Sequence, residues 1–383
     1  MRREDFYREA RSDVDGPLHG IRVLDVTRVW SGPQATCVLA DMGADVIRVE
    51  LPNGRDGDVP PNIPGTGLSW FRESVNRNKR SVGLDLRESA SAFLDLVRDA
   101  DLVVENYRPG TLSGWGAGYE DCRKVKPDII FVSITGWGQY GTGIDRPAYD
   151  PAVQAASGWM ALNGDTRAPT FLADELAGLH AAIGALAALN HRHRTGEGQH
   201  VDVAMLDAVL ASSCGLLTLA AAGAPPVPMG NETDFVVPSN VYPCQDGSVY
   251  LAVALNKHWR ALVALLGQPD LARHTTNVDR LAHRGEINTA VASWCAERPV
   301  AFVIKAFTEA GLVAERIRPL AEVATDPHVL ERDMLQNTRL HNGTVAPLTG
   351  PAAKFSRTPT KVRFGASAPG ADTESVLTQE TRI

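Results

Sequence analysis

A chain of 383 residues, 44% of them apolar, has material for one large domain or two and for a sizeable core. Its net charge of −7 excludes the basic surface that nonspecific nucleic-acid binding requires. Five cysteines (Cys37, Cys122, Cys214, Cys244 and Cys295) lack any C-x-x-C spacing, which argues against a disulfide framework or zinc site and fits a reducing, cytoplasmic setting.

Residues 1–17 read as a polar arm without the apolar core of a secretory signal. No uncharged apolar run reaches the ~18 residues that span a membrane, so no membrane association is expected. A short apolar strand at 21–26, a Ser31-Gly-Pro33 turn, a helix from Gln34 to Met42 and a second strand at 44–50 form a βαβ unit and predict a parallel pair. The proline- and glycine-rich run from Pro52 to Gly67 is a surface loop. Asn76-Arg-Asn-Lys-Arg-Ser81 is a basic cluster that fits either a solvated turn or a phosphate contact. It leads into Val82-Gly-Leu-Asp-Leu86, and a helix at 88–99 and a strand at 101–105 follow. Asn106-Tyr-Arg-Pro-Gly110 then falls at the C-terminal end of a strand, where open α/β sheets bind ligands. A further strand at 127–134 exits into the glycine-rich loop 135–143.

This layout is Rossmann-like but has neither a G-x-G-x-x-G fingerprint nor a P-loop, which argues against nicotinamide or nucleoside-triphosphate chemistry. G-x-S-x-G is also missing. His191 and His193 lie two apart on a helix and diverge, so no metal is expected.

From Pro169 to Gln199 the chain reads as a long helix. Leu176, Leu179, Ile183, Leu186 and Leu189 recur every three or four residues as an apolar face; Ala177, Ala181, Ala182, Gly184, Ala185, Ala187 and Ala188 between them are small enough to let another backbone come close, so burial on most sides is expected. Arg192 and Arg194 suit its last turn, and Gly196 and Gly198 stop it. Asp174 falls at the other end, among free N–H groups. There the spacing alone favours a helix N-cap over a carboxylate presented for chemistry at the helix mouth. The run from Ala208 to Pro228 reads as a buried helix and a linker. Beyond it a strand at 249–253, helices at 257–266, 284–296 and 300–310, and a strand within 312–320 make a small α+β domain. Short strands, turns and a polar tail complete the chain. The expected domains are 18–222 (large), 223–329 (small) and 330–383, a C-terminal segment returning to the large domain.

Taken together, these stretches resemble the class III CoA-transferases, the formyl-CoA and carnitine-CoA transferase family. The matching residues include Gly20-Ile-Arg-Val-Leu-Asp-Val26, Leu39-Ala-Asp-Met-Gly-Ala-Asp-Val-Ile-Arg-Val-Glu50, Asn78-Lys-Arg-Ser81 and Val104-Glu-Asn-Tyr-Arg-Pro-Gly110. Gly136-Trp-Gly-Gln139, Ala148-Tyr-Asp150 and Arg194-Thr-Gly-Glu-Gly-Gln199 continue the match in order. The resemblance implies an α/β fold with a Rossmann-like large domain and a small domain, in an interlocked homodimer. It implies CoA and acyl-CoA as substrates, with no permanently bound cofactor.

It also implies that Asp174, in Asp-x-x-x-Gly178, is the nucleophile. Its carboxylate would pass CoA between an acyl-CoA and a free carboxylic acid through an aspartyl anhydride and an aspartyl-CoA thioester. Trp30, Ser31, Leu84, Asp85, Leu86, Arg87, Asn106, Tyr107 and Arg108 would bind CoA. Tyr149, Asp150, Gly230 and Asn231 would lie on the substrate side, the last two in Met229-Gly-Asn-Glu232, the nearest equivalent of the family's mobile glycine loop. Trp30 stands where formyl-CoA transferases have glutamine, and Leu51 where a basic residue is common. An α-methylacyl-CoA racemase of the same fold is the alternative. That activity needs a histidine before Asp150, and the residue there is Tyr149. A non-catalytic CoA-binding protein is the third reading.

Overall fold

The computed structural model describes residues 1–52, 54 and 59–379, so part of the 52–67 loop lies outside the described residues. The chain divides into two compact units. One holds Met1–Ala161, Asp165–Pro226 and the stretch from Pro327 onward; the other holds Leu162–Gly164 and Val227–Asp326.

The first unit is built on six parallel strands: β1 (Arg22–Val26), β2 (Asp45–Glu50), β3 (Lys79–Gly83), β4 (Leu102–Glu105), β5 (Ile130–Thr135) and β6 (His200–Ala204). Their order is β3-β2-β1-β4-β5-β6, so the winding direction reverses between β1 and β4. Alternate strand residues face opposite ways. Val23, Val46, Leu102, Val104 and Val132 pack under α1 (Ser31–Asp41), α6 (Leu172–Thr195) and α7 (Met205–Ala211). Leu24, Ile47, Val82, Val103 and Phe131 pack under α3 (Ala90–Arg98) and α4 (Tyr119–Val125). Burial on both faces is why these strands read as continuous apolar runs.

Helix α6 departs from the sequence expectation. Its buried residues are Ala173, Asp174, Ala177, Gly178, Ala181, Ala182, Ala185 and Ala188. Leu179 and Ile183, expected on the buried face, are 43% and 61% exposed. The reason is close approach to α1: a Cβ on Gly178 would sit 2.8 Å from the Ser31 carbonyl oxygen. By length and hydropathy α6 could cross a membrane, yet its alanine face belongs to the core of this sheet.

The basic stretch 76–81 is neither a solvated turn nor a phosphate contact. Its side chains enter a buried ion network with the strand acids. Lys79 Nζ donates to Asp25 at 2.8 Å, to the Pro33 carbonyl and to Asn76 Oδ1. Arg77 and Asn78 both donate to Asp41, and Arg80 pairs with Asp45. Arg72, from α2 (Trp70–Asn76), donates to Glu50 through both terminal nitrogens, and Arg48 donates to the same carboxylate.

The expected polar tail is corrected in part: among the described residues it holds a helix, Thr373–Gln379, whose Val376 enters the core, while Asp372 and Thr373 accept the Ser81 and Gly83 N–H groups on the open edge of β3; residues 380–383 of the tail lie outside the described residues. Pairing that edge removes a strand template from solvent. β10 (Leu335–Arg339) and β11 (Val345–Thr349) form a hairpin in this unit. The apolar run at 208–228 is not one buried helix, because α7 gives way to Leu216–Ala221, whose Leu217 and Leu219 are about half exposed.

In the second unit, β7 (Ser239–Cys244), β8 (Gly247–Ala252) and β9 (Val313–Arg316) form an antiparallel sheet. Helices Asn256–Leu266, Arg284–Ala296 and Val300–Glu309 complete its own core, around Leu262, Val291 and Phe307.

Candidate active site

In a parallel sheet whose winding reverses, the loops leaving the two central strands part and leave a crevice. Here those loops follow β1 and β4. Asn106, just after β4, holds the β1 exit in both directions: its Oδ1 accepts the Arg28 N–H at 2.7 Å and its Nδ2 donates to the Arg28 carbonyl at 2.7 Å. Val29 is held in the left-handed region at φ 64. α1 begins two residues later, at Ser31 rather than the expected Gln34. The resulting cleft, about 310 Å³, is lined by Ser31, Asn106, Tyr107, Arg108, Tyr149 and Asp174.

Asp174 is the third residue of α6, so it is not the N-cap. The capping is done by Asp150, at the start of α5 (Asp150–Ala156), whose Oδ1 accepts the N–H groups of Ala173 (2.6 Å) and Asp174 (3.2 Å). Gln154 Nε2 donates to the other oxygen of Asp150 at 2.6 Å, and Gln154 Oε1 accepts the Ala168 N–H. With its end capped by another residue, α6 leaves the Asp174 carboxylate free to face the cleft. The Ser31 hydroxyl and backbone N–H donate to it, but burial, then Asp150 and Glu175, push its pKa up to about 7.

The neighbouring carboxylate is used differently. Glu175 accepts from Trp30 Nε1 at 2.8 Å and from Gln34 Nε2 at 3.0 Å. Trp30 itself is 8% exposed and packs against Trp70, Phe71 and Phe171. It stands behind the cleft as an aromatic wall and is not among the cleft's lining residues.

Leu84, Asp85, Leu86 and Arg87 line a second hollow of about 220 Å³, which shares Arg28 and Tyr107 with the cleft. There the exposed Arg87 guanidinium is paired with Asp85. Leu51 lines the same hollow, beside Arg48 and Glu50. Gly230 and Asn231 are exposed and belong to the second unit.

Several cleft residues were not singled out from sequence. Arg28 and Arg146 line it, the latter with its guanidinium 3.9 Å from the centre of the Trp137 ring. Arg146 lies in a loop whose only local signal was the neighbouring Ala148-Tyr-Asp150. Glu105, buried beneath the cleft, accepts the Tyr107 N–H at 2.7 Å; burial pushes its pKa up to about 7, although Ser133 and Tyr107 donate to it. Among the described residues no cluster of His, Cys, Asp and Glu is placed to hold a metal ion.

A parallel α/β sheet with a buried carboxylate at its switch point, and arginines around the same cleft, suits an anionic ligand and acyl chemistry. The chain matches CoA-transferase family III over residues 18–373 and belongs to that family. It is a family III CoA-transferase, an enzyme whose substrates are CoA thioesters. It is similar to the succinate–glutarate CoA-transferase of Agrobacterium fabrum, 36% identical over 363 residues and 90% of each chain. It is similar also to the succinyl-CoA:mesaconate CoA-transferase of Haloarcula hispanica, 36% identical over 338 residues, covering 84% of this chain and 85% of the other. A solved CaiB/BaiF family protein from Brucella suis superposes with a TM-score of 0.85 at 29% identity, covering 96% of this chain and 100% of that one.

Proposed function

We propose that Asp174 is the nucleophile through which this enzyme moves CoA from an acyl-CoA to a free carboxylic acid. The observation that carries the reading is the contrast between neighbours. Glu175 is tied to Trp30 and Gln34, whereas Asp174 opens into the cleft with, among the described residues, only Ser31 donating to its carboxylate. A pKa near 7 makes Asp174 a stronger base than an ordinary aspartate while half of it remains ionised at neutral pH.

The ionised carboxylate attacks the donor thioester carbonyl, forming an acyl-aspartyl anhydride and expelling CoA thiolate. The thiolate attacks the aspartyl carbonyl of the anhydride, forming aspartyl-CoA thioester and releasing the donor acid. The acceptor carboxylate attacks that thioester, giving a new anhydride and thiolate. Attack of the thiolate on the acceptor acyl carbonyl yields the new acyl-CoA and regenerates Asp174. Each tetrahedral intermediate carries an oxyanion, and the Ser31 hydroxyl and N–H, which donate to the resting carboxylate, are assigned to hold it.

CoA is assigned to the cleft and the adjoining hollow. Ser31, Asn106, Tyr107 and Arg108 lie on one side, Leu84 to Arg87 on the other, and Tyr107 lines both. Tyr149, 73% exposed at the cleft, is assigned to orient the acyl group, and Asp150 to hold the helix end. The reversed strand order supports the Rossmann-like description of the large domain. The exposed Leu179 and Ile183 support a homodimer that covers them, and the free cysteines support a cytoplasmic setting.

Trapping tests the assignment. Donor acyl-CoA plus hydroxylamine should convert Asp174 to a hydroxamate detectable by peptide mass spectrometry. Labelling of another carboxylate, with Asp174 untouched, overturns it. Succinyl-CoA with glutarate or mesaconate, the acids named for the two relatives, is the first substrate set to assay.

A further inference from the structure

The second unit contains a pocket of about 520 Å³, lined by its own residues alone and mostly apolar. That volume is in the range of small-molecule sites. Trp259, Val263, Ala264 and Pro269 supply apolar wall, while Asn256 and Arg260 supply polar groups.

Behind this wall lies a buried charge that no acid touches among the described residues, Asp279 acting on it only through its field. Arg280 is 0% exposed. Its Nε donates to the Val237 carbonyl at 3.0 Å and its Nη1 to Asn256 Oδ1 at 3.1 Å; both acceptors are neutral. Its Nη2 has no partner, and neither has the indole Nε1 of Trp259, itself 2% exposed. The guanidinium stands 5.4 Å from the Trp259 ring. No acid pairs with Arg280 or with the exposed Arg260 among the described residues. A buried cation with only neutral partners keeps a positive potential in low-dielectric surroundings. Because Asn256 Oδ1 is taken by Arg280, that side chain has its NH2 left to offer a ligand, polarised by the same charge.

We propose that this pocket is a second binding site, for a carboxylate with an apolar body. The acid head meets Asn256 and Arg260, in the field of Arg280, and the hydrocarbon lies against Trp259, Val263 and Pro269. The site is independent of Asp174 and takes the free acid, so no covalent step is involved.

Octanoate is a suitable probe, with octanol and octylamine as matched controls. Titration into 15N-labelled enzyme should move the Trp259 indole N–H resonance, identified by its loss in Trp259→Phe, with saturation by octanoate alone. Arg260→Glu should weaken octanoate binding by about tenfold or more, the scale of one charged contact. Ala264→Trp, at an exposed helix position on the pocket wall, should abolish it by filling the space. Asp174→Asn should bind octanoate here as tightly as wild type, which separates this site from the catalytic cleft. Equal binding of octanol or octylamine overturns the anionic assignment. Octanoate binding unaffected by both Arg260→Glu and Ala264→Trp overturns the site.

Discussion

Two groups of buried acids in the first unit meet opposite fates. Asp25 and Glu50 sit on β1 and β2 amid Lys79, Arg48 and Arg72. Burial alone would push both carboxyls up, but those cations outweigh it and hold each at about 2. Asp174 and Asp150 sit at the mouth of α6 and have no ion pair among the described residues. There burial, and then the charges of Asp150 and Glu175, push Asp174 up to about 7. The same residue type is structural where a cation neutralises it or neutral donors tie it down, as at Glu175 and Asp150, and chemically available where it is buried, unpaired and open to the cleft, as at Asp174. The unpaired state costs stability, which is why it marks a site.

The largest expected effect tests the unpaired side of that comparison. Asp174→Ala should lower CoA transfer by at least about four orders of magnitude, the scale seen when a nucleophile is removed. CoA binding, followed by calorimetry, should persist. Near wild-type turnover would make Asp174 another structural acid.

The paired side predicts a large loss of stability. Lys79→Met leaves the Asp25 charge buried without its closest cation and should cost about 3–5 kcal/mol in urea unfolding. A loss well under ~1 kcal/mol would mean that Arg48, with the Thr27 and Thr36 hydroxyls that donate to Asp25, suffices.

Stability against pH should separate the two groups by sign. Asp25 and Glu50 have pKa values depressed in the folded state, so their contribution is present above about pH 4 and is lost as pH falls towards about 2. Asp174 has a raised folded value, so the native state holds its proton more tightly, and stability falls as pH rises from about 4 through about 7. Asp174→Asn should therefore be more stable than wild type at pH 8, by roughly 2–4 kcal/mol, with no advantage at pH 4. Urea midpoints of both proteins across that range decide it. The same ionisation should make kcat/KM climb about tenfold per pH unit below 7 and level off above it.

A smaller effect sharpens the geometry. Gly178→Ala places a Cβ 2.8 Å from the Ser31 carbonyl, so α1 must shift at the point where Ser31 meets Asp174. We expect a loss of about 1–3 kcal/mol in stability. A fall in kcat larger than any rise in KM is expected too. Unchanged kinetics would show that Ser31 does not position the carboxylate.

Much of the fold was legible along the chain because the signals are local. Apolar strand runs, the glycine stop at Gly196 and the placement of Asn106 to Arg108 after a strand need only neighbouring residues. Asp174 stood out by its place before an alanine-rich helix, and the family pattern made it a nucleophile candidate. On α6 the small residues are legible in sequence as room for another backbone, and they are that; the error is confined to the apolar spacing, which overweights the large side chains. Leu179 and Ile183 satisfy the periodicity and lie outward, while Ala177, Gly178 and Ala181 let α1 come close.

The sequence by itself determined which residues could be strand, helix or turn, since backbone preference and hydropathy period are properties of short stretches. It also held the acids and bases in fixed number. Only the tertiary structure decided which of them meet. Lys79 reaches Asp25 across 54 positions, Asp150 caps a helix 23 residues on, and Trp30 ties down Glu175 from 145 positions away. A carboxylate's charge state depends on what surrounds it in space, through burial and the Coulomb field, and neither quantity has a period along the chain.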